Sequence, residues 1–557
     1  MNPLEEAERL VKQDDFLGAI CIYEELLEPA GEMMAGVLHN LVPLYLKARR
    51  PSLALRAAQA LVYFSPKSTD AWMALSQMRE RLGDWEGALQ ALHQVIDLDP
   101  MHEGAHQSRL FLLSSHAPAH DVRRYHEDWM DALLGHTYQD YQGQVDTDPH
   151  RRLRIGYVSG DFRKHVMDRV ILPMLRYATA AEFEVFCYDT VDRPDHITAD
   201  MRDCPVQWRI LKGLSDEAAC ALIKADGIDI LVDMSGITYG QRLKLFAMRP
   251  APIQITATGY LPTTGARCFD WKLCDTTAGP AHEYTEPMWH LPNALCPSPL
   301  PGAPAVTPLP ALRNGYITFG CVNSYAKVTS AAIEAWTEIL QRVPTARLVM
   351  VVAGCQEQET AISVLRRFGP VQDRVLLTEW QTGSNFPTVF ADLDIALNTH
   401  PYGGCMTSFD TLWQGTPIVC MEGDRAVGRY AARFMHLLDE SDYVAKDWRG
   451  YIWAAVTAAN NPAQLDHFRK TVRSRIQTNP AFNVPAWVFQ LEDAYRGMWQ
   501  ACFVKGNWSM SEADRTGADR RRAPPLQSAA ARRKATPLAR ATVRSTGERL
   551  FGETNVT

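Results

Sequence analysis

Five residues in the second half of the chain are of types that suit the phosphates or the ribose of a nucleotide. Lys327 supplies a mobile positive charge, and Gly403-Gly404 allows the backbone to approach an anion closely. A helix is predicted to begin near Thr407, so its first N–H groups and positive dipole end would face the same anion. Asp410 is placed to accept hydrogen bonds from ribose hydroxyls. Together these residues indicate a site for a nucleoside diphosphate.

Strands and helices are predicted to alternate around these residues. Short apolar runs predict four strands, at 317–320, 347–352, 374–378 and 394–398. Such alternation is typical of a parallel sheet, whose ligands bind beyond the carboxyl ends of the strands. Lys327 and the loop 402–410 both follow a predicted strand end. A plain α/β domain with a lysine near a helix and a Gly-Gly turn remains the alternative, because neither feature is specific by itself.

The composition is typical of a globular protein and argues against several classes. The chain has 557 residues, 46% of them hydrophobic, and a formal net charge of −7, which does not suggest nucleic-acid binding. Its 12 cysteines form no C-x-x-C pair and no Cys/His cluster, which favours reduced thiols over disulfides or zinc. No apolar run approaches the roughly 18–20 residues that span a bilayer, and the acidic N-terminus is unlike a signal peptide. We expect a cytoplasmic protein without nucleic-acid or membrane partners.

Residues 1–115 contain paired helical patterns with a period of about 34, the tetratricopeptide spacing. The corresponding positions of two copies are Leu38 and Trp72, Ala54 and Ala88, Ala57 and Ala91, and Pro66 and Pro100. The alanines permit close helix packing, and each proline ends a second helix. Residues 14–19 resemble the same turn in a degenerate first copy. About three repeats form a short solenoid whose groove would bind protein or peptide; an ordinary helical bundle is the alternative.

A helical linker at 116–150 is predicted to lead into a first βα array at 151–300. Its predicted strands lie at 154–159, 183–188, 228–233 and 253–256. His165 follows the first strand and is suited to act as a base or to bind a phosphate or sugar oxygen. A solvent-facing histidine at a helix start is the alternative. Asp226, Asp229 and Asp233 are also predicted near strand ends, where a carboxylate would compete for the role of base.

The proline-rich segment 297–310 indicates a linker to a second Rossmann-like domain at 311–503. Two such domains with a cleft between them are the GT-B arrangement of nucleotide-sugar transferases, although other two-domain nucleotide binders fit the pattern. No Asp-x-Asp motif stands at a suitable strand end, which favours a metal-independent site. The aromatic helix 484–502 is predicted to cross back to the first sheet domain or to pack on its own. Residues 506–557 are predicted to be a basic, disordered tail.

The chain resembles the protein O-GlcNAc transferase/SPINDLY family over roughly residues 30–500. Besides the repeats, the motifs that carry the resemblance are Gly160-Asp161-Phe162-x-x-His165, Asp226-Gly227-Ile228-Asp229-Ile230-Leu231-Val232-Asp233, Arg249-Pro250-Ala251-Pro252-Ile253-Gln254, Phe319-Gly320-x-x-Asn323-x-x-x-Lys327 and Asp410-x-Leu412-Trp413-x-Gly415-Thr416-Pro417. The fold implied is α/β with an N-terminal all-α tetratricopeptide solenoid and two Rossmann-like domains in the GT-B arrangement. The implied activity is the transfer of a sugar, GlcNAc from UDP-GlcNAc in the first instance, to Ser or Thr of proteins. The family inverts the anomeric carbon and needs neither a metal nor another cofactor.

The resemblance also implies roles for individual residues. Lys327 matches the lysine that contacts the donor diphosphate. His165 matches the active-site histidine, and Asp226 matches an acidic position connected with proton removal. Thr407 and Asp410 match the donor-binding helix start. With Asn323, Tyr402, Gly403 and Gly404 they are the predicted donor-binding residues.

Several departures from the family lie around the expected nucleotide and sugar. Segment 380–387 lacks the Lys and His of animal members, and Cys405-Met406 replace a polar pair. Ile237 stands where bacterial relatives often have His, and 257–262 replaces a Trp-Leu-Gly-Tyr-Pro motif. These changes leave three alternatives open: a UDP-glucose or GDP-fucose donor, an Asn acceptor, or a catalytically degenerate repeat adaptor.

Overall fold

The computed structural model describes residues 2–27, 34–257, 259–379 and 388–503. Segment 380–387, position 258 and the predicted tail at 506–557 lie outside the described residues. Helical repeats come first and are followed by two parallel sheets, so the predicted fold class is confirmed. Within the described ranges, no helix has both the length and the apolar character needed to cross a membrane.

The first part of the chain is entirely helical, and consecutive helices pack against one another. The helices are α1 (Pro3–Lys12), α2 (Phe16–Glu25), α3 (Met34–Lys47), α4 (Pro51–Phe64), α5 (Thr69–Arg81), α6 (Trp85–Leu98), α7 (Glu103–His116) and α8 (Ala119–Leu134). The turns inside the first three pairs share one backbone conformation, with φ of 60° at Asp14, 58° at Arg49 and 79° at Gly83. The first copy also shares its cap with the third, because Asp15 and Asp84 each accept a hydrogen bond from the N–H three residues on. The predicted degenerate first repeat is therefore present.

The helical array contacts both sheet domains. On the second domain, Glu357 accepts a hydrogen bond from the backbone N–H of Ser52 at 2.8 Å. On the first domain, His126 Nε2 lies 2.8 Å from the hydroxyl of Tyr260. Helix α8, which was predicted as part of a linker, is buried through Trp129 in the core of the first sheet domain. The array is thus attached to both sheet domains.

The first sheet has seven parallel strands in the order β3-β2-β1-β4-β5-β6-β7, which is a Rossmann-type order. Its elements are β1 (Leu153–Ser159), α9 (Asp168–Tyr177), β2 (Phe183–Asp189), α10 (His196–Arg202), β3 (Gln207–Ile210), α11 (Asp216–Asp226), β4 (Ile230–Asp233), α12 (Leu243–Ala247), β5 (Ile253–Thr256), β6 (Trp271–Cys274) and β7 (Met288–His290). Strands β3, β6 and β7 were not predicted. They have only three or four residues each, and β3 is exposed at both ends, so the apolar run that signals a buried strand is missing.

The second sheet has six parallel strands in the order β10-β9-β8-β11-β12-β13. Its elements are α13 (Pro310–Asn314), β8 (Thr318–Cys321), α14 (Ser330–Arg342), β9 (Arg347–Val351), α15 (Gln358–Arg366), β10 (Val375–Thr378), α16 (Thr388–Ala391), β11 (Ile395–Leu397), α17 (Met406–Trp413), β12 (Ile418–Met421), α18 (Ala426–Leu437), β13 (Val444–Ala445), α19 (Trp448–Ala459), α20 (Pro462–Thr478) and α21 (Val484–Phe503). The four strands predicted here are all present. Strands β8 and β11 are neighbours, so the loops after them lie side by side.

The last helix, α21, returns to the first sheet domain. The hydroxyl of Tyr495 lies 3.1 Å from that of Tyr157 on β1. Glu492 accepts hydrogen bonds from the N–H and the hydroxyl of Thr179, at 2.6 and 2.7 Å. Of the two packings considered for this helix, the structure has the crossing one, so the two sheet domains are braced together.

Candidate active site

Two asparagines join the loops that follow β8 and β11. Asn323 Nδ2 donates to Asn398 Oδ1 at 2.9 Å and to Thr399 Oγ1 at 3.0 Å. Asn398 Oδ1 also accepts from the backbone N–H of Gly404 at 2.9 Å. Because Asn323 and Asn398 are buried, these bonds fix the two loops in one arrangement. The structure therefore brings Asn323, Tyr402, Gly403 and Gly404 together at the carboxyl edge of the second sheet.

Lys327 ends a short 3₁₀ helix after β8 and points at the same loop. Its Nζ donates to the carbonyl of Gly403 at 3.3 Å and lies 3.7 Å from the centroid of the Tyr402 ring. Removal from water lowers the pKa of Lys327 to about 8, since no carboxylate of the described residues is close enough to counter it. The result is a cation held by a carbonyl and an aromatic face, without an acidic partner in that part of the chain.

The two glycines are required by the packing of the loop. A Cβ on Gly403 would lie 2.6 Å from Asn398 Nδ2, and one on Gly404 would lie 2.8 Å from Asn323 Oδ1. The N–H of Gly403 donates to Val427 O, and that of Gly404 is bound by Asn398. The glycines thus allow the loop to pack, while their own N–H groups are already satisfied.

The N–H groups available to an anion are those that begin α17. This helix starts at Met406, and its first N–H groups have no partner inside the helix. Thr407, predicted at the helix start, lies in that first turn and is only partly buried. The first turn therefore offers donors and a positive dipole end beside the loop that holds Lys327.

Asp410 is paired with an arginine of the first sheet domain, which the sequence did not indicate. Both oxygens of Asp410 accept hydrogen bonds from Arg169 on α9, one of them from Nη2 at 3.1 Å. The two side chains are 5% and 6% exposed. Burial raises the pKa of Asp410, and the Arg169 guanidinium opposes that rise. The predicted ribose contact would have to share this carboxylate with Arg169, so the pair is first of all a link between the domains.

His165 lies on the first sheet domain, in the loop from β1 to α9. It is four residues before Arg169, and its side chain is 37% exposed. Its Nδ1 is 3.3 Å from Asp161 Oδ1, a carboxylate whose pKa is raised mainly by burial. Nδ1 is also 3.5 Å from the backbone N of Met167, whose N–H it can accept. In the tautomer whose Nδ1–H donates to Asp161 instead, Nε2 keeps a lone pair and can take up a proton. His165 thus follows the carboxyl end of β1 on the first sheet domain, whereas Lys327 follows β8 on the second. Its predicted role stays a prediction.

Asp226 is not with these residues. It ends α11 and precedes β4, so it lies at the amino end of the strands, whereas His165 follows the carboxyl end of β1. Its carboxylate accepts hydrogen bonds from Arg209 and from the hydroxyl of Tyr188, at 2.9 Å in the latter case. Both oxygens are thus engaged within the first domain. This location does not fit the predicted part in proton removal. The sequence placed Asp226 near a strand but did not show which end of the strand it is near.

The other two aspartates near β4, Asp229 and Asp233, lie at its two ends. Asp229 precedes β4 and binds Arg151, also at the amino edge. Asp233 ends β4, where it is buried and accepts hydrogen bonds from Ser235 N and Thr256 Oγ1. These bonds close the loop after β4 and leave Asp233 a structural group.

Ile237 and Cys405 are two of the departures from the family. Ile237 is 2% exposed and belongs to the hydrophobic core of the first sheet domain. Cys405 precedes α17, and burial raises the pKa of its thiol to about 12, so the thiol is neutral at physiological pH. Over the described ranges, no three His, Cys, Asp or Glu residues are grouped as a metal site would require.

The comparisons with known proteins agree with this architecture. The profile of glycosyl transferase family 41 matches residues 100–296 and 309–491, and that of the ChAPs (Chs5p-Arf1p-binding proteins) matches 7–119. The chain belongs to glycosyl transferase family 41. The predicted resemblance is therefore confirmed, and so is the predicted glycosyltransferase class at the level of the family.

Individual relatives are named as protein glycosyltransferases. Probable UDP-N-acetylglucosamine–peptide N-acetylglucosaminyltransferase SPINDLY from Petunia hybrida is 30% identical over 420 residues, 73% of this chain and 45% of the relative. The protein of the same name from Arabidopsis thaliana is 31% identical over 425 residues, 73% of this chain and 46% of the relative. The chain thus spans less than half of these curated relatives. A solved structure of a lysine-to-methionine mutant of Thermobaculum terrenum O-GlcNAc transferase is 29% identical, with a TM-score of 0.82 over 90% of this chain and 98% of that one.

Proposed function

We propose that this family 41 member transfers a sugar from a nucleoside-diphosphate donor to Ser or Thr hydroxyls of proteins, with inversion and without a metal. The observation that carries the proposal is Lys327, a desolvated ammonium with no described carboxylate beside it. A partly buried cation of this kind is stabilised by an anionic ligand. Asn398 Nδ2 adds a second unsatisfied group, because it is buried and has no acceptor among the described residues. Both groups adjoin Gly403 and suit oxygens of one diphosphate.

The reaction would be a single displacement. The acceptor oxygen forms a bond to the anomeric carbon while the bond from that carbon to the phosphate oxygen breaks. The nucleoside diphosphate departs with the electron pair, and Lys327 together with the first N–H groups of α17 neutralises the charge that develops on it. The acceptor proton goes to His165 or to a phosphate oxygen of the donor. Asp226 has no part in this scheme, because it lies at the other edge of the first sheet.

The donor is taken to be UDP-GlcNAc in the first instance, since the relatives carry that donor in their names. UDP-glucose and GDP-fucose remain alternatives, as does an Asn acceptor. Apolar Ile237 and the neutral thiol of Cys405 are the observations that favour a changed donor site. Protein acceptors would approach along the helical array, which lies over both sheet domains.

The test is calorimetric titration of the chain with UDP and with GDP, and then of Lys327→Met. Lys446→Met is the matched control, because Lys446 is an exposed lysine after β13 of the same domain. We expect one nucleotide to bind, the first variant to lose it and the control to retain it; a panel of the corresponding sugar donors with acceptor protein follows. If neither nucleotide binds, the repeat adaptor replaces the transferase. Equal binding by Lys327→Met would remove the role given to Lys327.

A further inference from the structure

We propose that Phe111 on helix α7 of the repeat array is a positioning residue for the donor lysine and acts through the ring of Tyr402. The inference rests on the proposed function of Lys327. It adds that the array, which would hold the protein acceptor, also controls the donor site. Phe111 would set the orientation of an aromatic ring on which the Lys327 ammonium lies.

The Tyr402 ring contacts both Phe111 and Lys327, which come from other parts of the chain. The rings of Phe111 and Tyr402 meet edge to face, with centroids 5.9 Å apart and planes at 62°. The Lys327 ammonium lies 3.7 Å from the centroid of the Tyr402 ring. The carbonyl of Tyr402 accepts a hydrogen bond from Thr399 Oγ1 at 2.7 Å, which fixes the backbone. The backbone bond does not fix the orientation of the ring, and Phe111 is one of the groups packed against it.

The contact matters because of the environment of Lys327. An aromatic face attracts a cation most strongly when water is excluded, and the attraction needs the cation above the ring face. Lys327 forms no ion pair with a described residue. Its ammonium instead contacts the ring of Tyr402 and the carbonyl of Gly403. A ring that turned away would leave the desolvated ammonium with the Gly403 carbonyl but without the aromatic face. The orientation of Tyr402 therefore affects how well Lys327 is prepared for a diphosphate.

The array is also connected indirectly with the donor loop, residues 402–410. Arg425 donates a hydrogen bond from Nη1 to the carbonyl of Ala117, which directly follows α7. Arg425 caps α18, and two residues later the carbonyl of Val427 accepts the N–H of Gly403 at 3.1 Å. The end of α7 is thus connected with the same loop from its other side. A shift of α7 would therefore change the contacts of both Tyr402 and Gly403.

Phe111 also has a surface for an acceptor. It is 38% exposed, so part of the side chain remains open beside its contact with Tyr402. An acceptor chain lying on the array near α7 would cover the remaining face and hold the ring more firmly. Acceptor and donor would then favour each other's binding, since coupling between two sites is reciprocal.

The experiment is a double-mutant cycle on nucleotide affinity. Phe111→Ala and Tyr402→Leu are titrated singly and together with UDP, or with GDP if that is the nucleotide that binds the wild-type chain. We expect Phe111→Ala to weaken binding about three- to tenfold. In the Tyr402→Leu background the same change should have no further effect, because the ring through which it acts is gone. Phe111→Tyr keeps the ring and should stay within about twofold of wild type.

The matched control lies at another contact of the array. Arg56 on α4 forms an exposed ion pair with Glu359 on α15, so Arg56→Ala loosens the interface without touching the donor loop. It should leave affinity unchanged in both backgrounds. If Phe111→Ala does not fold, as judged by thermal unfolding, Phe111→Leu is used in the cycle instead.

The outcomes separate this inference from the proposed function. If the wild-type chain binds a nucleotide that Lys327→Met loses, the proposed function stands. The inference is then refuted if the Phe111 change is without effect, or weakens binding equally with and without the Tyr402 ring. If the wild-type chain binds neither nucleotide, both fall together.

Discussion

The pKa of Lys327 makes a quantitative prediction for nucleotide binding. Desolvation lowers that pKa from 10.5 to about 8 in the free protein. A bound diphosphate places negative charge beside the ammonium, which restores the pKa to its ordinary value or higher. The charged form in the free protein is nearly complete below pH 7 and is lost as the pH rises through 8. Binding above that pH must therefore include the uptake of a proton.

The size of the effect follows from these two pKa values. At pH 7 about nine-tenths of the free protein carries a charged Lys327, and at pH 9 about one-tenth does. Affinity for the nucleotide should fall about tenfold between these pH values, or about 1.4 kcal/mol. At pH 8 each binding event should take up about half a proton. An unperturbed lysine would give less than about a tenth of a proton.

Other groups near the site do not obscure the measurement. Burial raises the pKa of Tyr402 and of Cys405 to about 12, so both keep their protons over this range. The last ionisation of a terminal phosphate, near pH 6, is almost complete at pH 7. The change in binding between pH 7 and 9 therefore reports on Lys327.

The assay is titration calorimetry at pH 8 in buffers with different heats of ionisation, since the dependence of the measured heat on the buffer gives the number of protons. Lys327→Arg is the control. Its guanidinium stays charged throughout, so the proton uptake should disappear even where binding is retained. An affinity that is constant from pH 7 to 9, with no proton uptake, would show that Lys327 does not meet the diphosphate.

Three further outcomes are expected. Arg169→Met and Asp410→Asn each remove one partner of a buried ion pair and should lower the free energy of unfolding in urea by about 3–5 kcal/mol. The reason is that the remaining partner keeps an uncompensated charge or unmet hydrogen bonds. The double variant should lose less than the sum of the two single losses. With a donor and acceptor in hand, His165→Ala should lower kcat about 10²- to 10⁴-fold if this residue is the base, whereas Asp226→Asn should change kcat less than about threefold. Leu92→Ala, in the fully buried core of the array, should cost about 2–5 kcal/mol in thermal unfolding while nucleotide affinity at low temperature is kept.

Much of the donor side of the site was predictable from local sequence. Strands β8 and β11 are apolar runs, and in a parallel sheet their carboxyl ends meet at one edge. Lys327 and the loop before α17 directly follow these strands, so their proximity needed no knowledge of distant contacts. The repeats were predictable for a similar reason, because each one is a local unit with the same turn and cap.

The exceptions involve partners that are far apart in sequence. Asp410 pairs with Arg169, 241 positions away, and the two meet only after the two sheet domains face each other. Asp226 precedes β4 and therefore lies at the amino edge of the first sheet. A residue only a few positions later, after β4, would lie at the opposite edge. Phe111 was one apolar residue among many in a helical pattern. The only signal for Arg169 was its place on the helix that begins just after His165.

The sequence by itself determined the order of elements, the repeats, and the residues that follow each strand, because hydrophobic period and turn residues act over a few positions. Tertiary structure alone decided which of those residues are charged, which have their hydrogen bonds satisfied, and which are available to a ligand. The desolvation of Lys327, the neutral thiol of Cys405 and the bonds that occupy the glycine N–H groups depend on what packs around them. Burial and pairing are sums over neighbours from the whole chain, so no local stretch of sequence contains them.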